Sequence, residues 1–352
     1  MPQNRPTEVL VLACSPMNAR QLEGTDNLLT TSVRTYHFNM DAMSPGRRPD
    51  VVVVRNKVVR RPTLFDVPPA NTLLLLSEPH SVVAFPADYV RQFGMVYSCQ
   101  EELRGGGNVV YGPAAISWFV GINLRGEVSE RYADAISYRA LAGAPLPRKT
   151  REVSVIASGK TFSAGHLERF RFVRRLQKRY GDHIDFFGKD SRHVEDKWEA
   201  LAPYKYTIAL ENSRSRFYFT EKISDGFLAG CHVLYDGCTN IGDYFPSGAF
   251  SRLDLTDFDA SSRVIDNLLD NDPYDLSVPD IVEARHRVLH QYNFLNIIAH
   301  CCDKMPLDGA APRGVVLRPP SGVGNIPNTL RHLFVRPFYQ AVGKAVTMFD
   351  IP

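Results

Sequence analysis

Residues 204–230 read YKYTIALENSRSRFYFTEKISDGFLAG, and the junctions inside them decide the fold. An apolar run ends at Leu210, Glu211-Asn212-Ser213 follow, and after a polar and aromatic loop a helix-like stretch opens at Thr220-Glu221-Lys222. An apolar run without in-out alternation is the pattern of a strand buried on both faces, as in parallel α/β sheets. Thr220 is a fair N-cap, which puts Glu221 and Lys222 in the first helical turn. Open α/β sheets bind their ligands outside the carboxyl ends of the strands, where Glu211 and Asn212 would stand. Free backbone N–H groups beside an ammonium make a diphosphate site, and a carboxylate there suits ribose hydroxyls. A capped helix carrying solvated charges accounts for the same residues equally well, so chemistry alone leaves the two readings open.

Working outward, the same alternation surrounds this stretch. EVSVIAS (152–158), helical HLERFRFVRRLQKRY (166–180), HIDFFG (183–188) and CHVLYDG (231–237) complete a series of strands and helices. Such alternation implies right-handed βαβ units. The first half carries four more continuous apolar runs, EVLVLAC (8–14), DVVVVRN (50–56), NTLLLLSEP (71–79) and FGMVYSC (93–99), with only weakly patterned helices such as NLLTTSVRTYHF between them. A Pro/Gly/Ala-rich stretch, LAGAPLPRKT (141–150), reads as a linker. The expectation is an α/β protein of two Rossmann-like domains facing across a cleft: residues 1–145, then 146–325. Residues 303–325 read as loop, and 326–352 as a terminal helix, broken near Pro337, that packs back on the first domain.

Composition bounds the class. A chain of 352 residues exceeds one typical core. A net charge of +3 favours no particular partner, nucleic acid included. The longest apolar runs are far too short to cross a membrane. At the amino terminus VLVLAC follows Glu8 directly and lacks a cleavage site, so it reads as a first strand rather than an export signal. Six cysteines without a C-x-x-C pair suggest reduced thiols. Together these predict a cytoplasmic protein. The terminal helix sets Leu330, Leu333, Phe334, Phe338 and Val342 beside Arg331, Arg336 and Lys344, a pattern able to lie peripherally on the inner membrane leaflet.

Three other motifs read as structure. ASGKTF (157–162) ends like a phosphate-binding loop, but the first glycine is missing and a strand occupies the loop's place. The pairs Asp257-Asp259 and Asp270-Asp272 lie in a stretch that reads as a strand end passing into a helix, where acids are common in the first turn, rather than as a metal site. In ERFRFVRRLQKRY, Phe172, Val173, Leu176 and Tyr180 share one helical face and Arg174, Arg175 and Lys178 lie largely outside it, so the basic residues read as a solvated face. Arg169, near the start of that helix, can point to the strand's carboxyl end.

As a unit, YKYTIALENSRSRFYFTEKISDGFLAGCHVLYDG resembles the donor-binding motif of the α-1,3-fucosyltransferase family, roughly Y-K-F-x-x-x-F-E-N-S, a short loop and Y-x-T-E-K. Tyr204-Lys205-Tyr206, Glu211-Asn212-Ser213, Tyr218 and Thr220-Glu221-Lys222 fall in place. DYFPSGAFSRLDLTDFDASS is similar to the family's next strand and aspartate-rich helix start, and Arg169 with Leu176 matches its upstream arginine and leucine. The family's Ser-Asn before that arginine is Ser158-Gly159 here. In the first half LLLLSEPHSV resembles the acceptor-side segment, with Glu78-Pro79 after the strand, and DYVRQFGMVYSCQEEL is like the strand and turn downstream. The resemblance is dense from about 150 to 276, thin from 71 to 113, and slight elsewhere.

The resemblance implies a GT-B fold, with an acceptor domain first and a GDP-fucose domain second. It implies inverting transfer of L-fucose from GDP-β-L-fucose to a hydroxyl of an oligosaccharide or glycolipid. Glu78 is then the base, and Arg169 and Lys222 the cations that stabilise the departing diphosphate. Glu211, Asn212, Ser213, Tyr218 and Glu221, with Arg169 and Lys222, bind the donor. One cation about 4 Å from the phosphate is worth roughly 4 kcal/mol at an effective dielectric near 20, before desolvation. Two such cations can stand in for a metal, so no cofactor and no essential divalent ion is expected. Read without the resemblance, Glu78 is a loop glutamate capping a helix near Pro79. The alternatives are another GDP-sugar as donor, or a non-catalytic glycan- or nucleotide-binding protein on the same scaffold.

Overall fold

The computed structural model describes residues 5–12, 27–56, 59–103, 105–121, 136–157, 163–188, 191–192, 194–308 and 312–320. The terminal helix expected over 326–352 and most of ASGKTF lie outside the described residues.

The first sheet has seven strands: β1 (Thr7–Leu12), β2 (Leu28–Thr30), β3 (Thr35–Met40), β4 (Val51–Arg55), β6 (Thr72–Leu76), β7 (Met95–Ser98) and β8 (Val109–Tyr111), in the order β2-β3-β1-β4-β6-β7-β8. All pairs are parallel except the β2–β3 hairpin. That hairpin occupies NLLTTSVRTYHF, where only a weak helical pattern was visible. The continuous Val/Leu runs are buried on both faces. Leu73 and Leu75 belong to one apolar cluster, and Leu74 and Leu76 to the other. One face is covered by α1 (Ala87–Val90) and its neighbours, the other by α7 (Phe294–Asp303).

The second sheet is wholly parallel: β9 (Arg151–Ile156), β10 (Ile184–Phe187), β11 (Tyr204–Leu210), β12 (His232–Asp236) and β13 (Phe250–Arg252), ordered β10-β9-β11-β12-β13. Its helices are α2 (Tyr138–Gly143), α3 (Ala164–Tyr180), α4 (Glu221–Leu228), α5 (Phe258–Asn271) and α6 (Tyr274–His290). The basic α3 buries Phe172, Val173, Leu176 and Tyr180, the stripe read from sequence, and buries Leu167 and Arg169 as well. Asp257 caps α5 by accepting from the Ala260 N–H at 2.9 Å, and Asp272 ends it in the left-handed region. Asp257 and Asp259 therefore sit at the helix start, whereas the Asp272 carboxylate accepts from Lys205 and Tyr206.

Two parallel α/β sheets, one in each half, are the fold class the sequence predicts. The packing divides the chain less simply than one cut at 145. Trp118 and Val120 already belong to the second core, whereas α7 returns to pack under the first sheet. Within the expected loop 303–325, β14 (Val315–Leu317) pairs antiparallel with β5 (Thr63–Phe65) of the first half. Helix α7 was invisible as a first-domain element because its apolar residues, Phe294, Leu295, Ile297 and Ile298, say nothing of which sheet they cover. The buried cysteines Cys99, Cys231, Cys238, Cys301 and Cys302 are free thiols. Among the described residues no helix is long and apolar enough to cross a membrane.

Candidate active site

In the second sheet, chain order runs outward in opposite directions from β9, to β10 on one side and to β11 on the other. The crevice outside the carboxyl ends of such a strand pair is where α/β sheets take ligands. A cavity of about 420 Å³ lies there, lined among others by His166 and Arg169 of α3, Asn212 after β11, Glu221, Lys222 and Asp225 of α4, and Lys197. Two glycines let the walls close. A Cβ on Gly165 would meet the Asn212 carbonyl oxygen at 2.2 Å, and one on Gly237 would meet Glu211 Cγ at 2.4 Å.

The α4 N-terminus is built around Glu211. Its Oε1 accepts from the Thr220 N–H at 2.9 Å and from the Thr220 hydroxyl at 2.8 Å, and its Oε2 takes the Lys222 ammonium at 2.9 Å. The Glu211 side chain has 0% exposure. Its carboxylate holds Thr220 and Lys222, so Glu211 organises the cavity wall. Thr220 caps the helix as anticipated.

Lys222 and Glu221 remain at the surface of the cavity. Burial opposes the Lys222 ammonium, but Glu211 and Glu221 outweigh it and leave its pKa raised. Burial would raise the Glu221 carboxyl, yet Lys222 and Lys197 bring it down to about 2. Arg169 is buried, which pulls its pKa below the ordinary value while Glu211 and Glu221 counter this; a guanidinium keeps its charge regardless. Fixed positive charge thus gathers at the α4 N-terminus, at one end of the cavity. Tyr218 is buried and donates its hydroxyl to Asn212 Oδ1 at 3.0 Å, orienting that amide beside His166.

Lys197 and Asp225 were not singled out from sequence. The Lys197 ammonium lies 2.9 Å from Asp225 Oδ2 and 3.9 Å from Glu221 Oε1. Asp225 Oδ1 accepts from the Phe119 N–H at 2.8 Å, tying the segment that leaves the first sheet to α4. Burial pushes the Asp225 carboxyl up to about 6 despite Lys197. Its spacing of four residues from Glu221 places both acids on one face of α4, a signal readable in TEKISDGF.

Ser213 faces the first half rather than the cavity, with its hydroxyl 3.0 Å from that of Ser81. Two further contacts close this seam: Phe217 stacks on Tyr111 with centroids 5.9 Å apart, and Arg216 lies 3.8 Å from Glu101. Glu78 stands just upstream of Ser81 at the carboxyl end of β6. Its carbonyl accepts from Gln100 Nε2 at 2.7 Å. Burial raises its carboxyl pKa, Arg55 opposes the rise, and Glu221 and Lys222 on α4 act on it from across the seam. Glu78 and the α4 cluster therefore share one electrostatic environment. Arg55, at the end of β4, was also missed, although DVVVVRN carries the signal that drew attention to Glu78: a charge directly after a fully buried strand. Among the described residues no group of three or more His, Cys, Asp or Glu converges as a metal site.

Residues 146–274, which build the second sheet and most of the cavity wall, match the family model for glycosyltransferase family 10 (fucosyltransferase), C-terminal. No curated protein matches the chain in sequence. Among solved structures the fold is similar to an α1,3-fucosyltransferase with GDP, at 15% identity over 83% of this chain and 94% of that one, with a TM-score of 0.47. An α1,3-fucosyltransferase with GDP-fucose is 15% identical over 87% and 92%, with a TM-score of 0.45. An α,α-trehalose-phosphate synthase from Burkholderia xenovorans in complex with glucose-6-phosphate is 9% identical over 86% and 100%, with a TM-score of 0.47.

Proposed function

We infer that this chain is an inverting glycosyltransferase that moves L-fucose from GDP-β-L-fucose to a hydroxyl of an acceptor glycan. The observation that carries the reading is the Glu211–Thr220–Lys222 knot at the α4 N-terminus. It lies inside the segment that matches the fucosyltransferase family and opens onto the 420 Å³ cavity beside Arg169.

The chemistry follows from the placement. The donor diphosphate lies against the α4 N–H groups, Lys222 and Arg169, and Glu221 accepts from the ribose hydroxyls. Asn212, oriented by Tyr218, supplies an amide to the same pocket, and Glu211 acts by fixing Lys222. As the anomeric C–O bond breaks, charge grows on the leaving phosphate, and cations placed there beforehand stabilise it more in the transition state than in the ground state. Glu78, from the opposite half, takes the acceptor hydroxyl's proton as the oxygen attacks the anomeric carbon from the face away from the diphosphate. A positioned carboxylate base contributes about 10²–10⁴-fold. With Arg169 and Lys222 on the diphosphate, no divalent metal is required. The acceptor is an oligosaccharide or glycolipid met from the first half, and the site of action is the cytoplasm.

The test is incubation with radiolabelled GDP-fucose, GDP-mannose and UDP-glucose and a panel of oligosaccharides. The reading expects label transfer and GDP release with GDP-fucose alone. Transfer from GDP-mannose instead would move the chain to another GDP-sugar. Donor binding without any cleavage would make it a binding protein on this scaffold.

A further inference from the structure

Arg55 stands at the carboxyl end of β4, one strand away from the β6 end that carries Glu78. In the β4–β6 ladder Arg55 pairs with Leu75, three residues before Glu78. Its Nε donates to the hydroxyl of fully buried Ser77, the residue preceding Glu78, at 3.2 Å. Its guanidinium lies 5.6 Å from the centroid of the Phe294 ring, the first residue of α7, which limits its freedom on that side. The Ser77 backbone is fixed independently, because its N–H donates to Asn56 Oδ1 at 3.0 Å. Two adjacent residues of β4's end thus hold the residue before Glu78, one through its hydroxyl and one through its N–H.

We propose that Arg55 is the positioning residue of the Glu78 carboxylate, holding it at the cleft through its charge and through Ser77. The proposal rests on the reading of Glu78 as the base. A base taken out of water needs a compensating cation on its own side of the cleft, since Lys222, opposite, is committed to Glu211 and the donor. Arg55 is placed for that task by its contacts with Ser77 and the Phe294 ring, and a guanidinium does not lose its proton to the carboxylate it serves. The groups whose charge acts on or is acted on by Glu78 are Arg55 from β4, Glu221 and Lys222 from α4, Cys99 after β7, and Tyr218 in the loop before α4. Burial raises the Glu78 carboxyl and Glu221 adds to this, while Arg55 and Lys222 oppose it. Among the described residues the cations that oppose the rise are Arg55 and Lys222, and Arg55 belongs to the half that carries Glu78.

The test uses Arg55→Met, which keeps length and loses charge, and Arg55→Lys, which keeps charge and loses the fork. Carbon-13 NMR on the full chain labelled at glutamate Cδ, with the Glu78 signal assigned by its loss in Glu78→Gln, follows the carboxyl directly. In Arg55→Met the Glu78 titration moves up by about one pH unit or more, as expected for removal of a near opposite charge. The acid limb of GDP release from GDP-fucose moves with it, a roughly tenfold loss at a pH on that limb. Arg55→Lys titrates close to wild type, and calorimetric affinity for GDP stays within about twofold in both variants. An unmoved Glu78 titration in Arg55→Met overturns the proposal. So does a large loss of GDP affinity with the limb in place, which would make Arg55 a donor contact. Wild-type GDP release in Glu78→Gln sinks the reading of Glu78 as base instead, and the NMR titration keeps the two failures apart.

Discussion

The Lys222 ammonium lies 2.9 Å from Oε2 of Glu211, a carboxylate without exposed surface at the end of the preceding strand. The position of this cation is therefore set by the sheet as well as by its own helix. Glu211→Gln keeps the shape and an acceptor for Thr220 but removes the charge. Breaking one side of a buried pair typically costs about 3–5 kcal/mol. Because Lys222 retains some access to solvent, the loss in urea unfolding should fall near the lower end of that range, with weaker GDP binding. Unchanged stability would mean the pair contributes little.

Lys222→Ala should lower turnover and GDP-sugar affinity together, because on the proposed function its charge holds the bound diphosphate and acts more strongly still on the departing one. Calorimetry with GDP and steady-state release of GDP measure the two effects. A loss confined to affinity would leave Arg169 alone as the electrostatic catalyst.

Glu78 gives the pH dependence its direction. Its carboxyl is held above the ordinary glutamate value by burial. A base works ionised, so turnover should be full above that raised value and fall away as pH drops through it. Glu78→Gln should abolish transfer almost completely at every pH while leaving calorimetric GDP affinity nearly unchanged, since the nucleotide is held by the other half. Wild-type turnover in this variant would leave the base unidentified.

Divalent metal should be dispensable. With Arg169 and Lys222 on the diphosphate, activity in EDTA should match activity in magnesium or manganese. Complete loss in EDTA, reversed by manganese, would refute this.

Much of the fold was legible because its strands are local signals. DVVVVRN and NTLLLLSEP announce β4 and β6 by unbroken burial, and Thr220 announces the start of α4. The β2–β3 hairpin escaped because β2, three residues long and mostly exposed, is too short to announce a strand by itself. The return of α7 to the first sheet escaped because an apolar helix does not encode which sheet it covers. At the site, the placing of Arg169 and Lys222 beside the cavity was legible from strand and helix ends together with a family resemblance. The burial of Glu211 against Thr220 and Lys222 was not, since a carboxylate at a strand's edge looks the same whether it faces outward or packs inward. Arg55 and Lys197 were missed for a related reason: their partners, Ser77 and Asp225, lie on other elements, and only packing brings them together.

Single displacement at the anomeric carbon, with Glu78 on one side and the diphosphate against Arg169 and Lys222 on the other, is the centre of this account. It is read most directly from the first product formed, by proton NMR of the anomeric signal before any mutarotation or further reaction. From GDP-β-L-fucose the account predicts an α-linked fucosyl product from the first turnover. A β-linked product would contradict it, because retention requires a second displacement or a same-face attack that this placement of Glu78 does not provide.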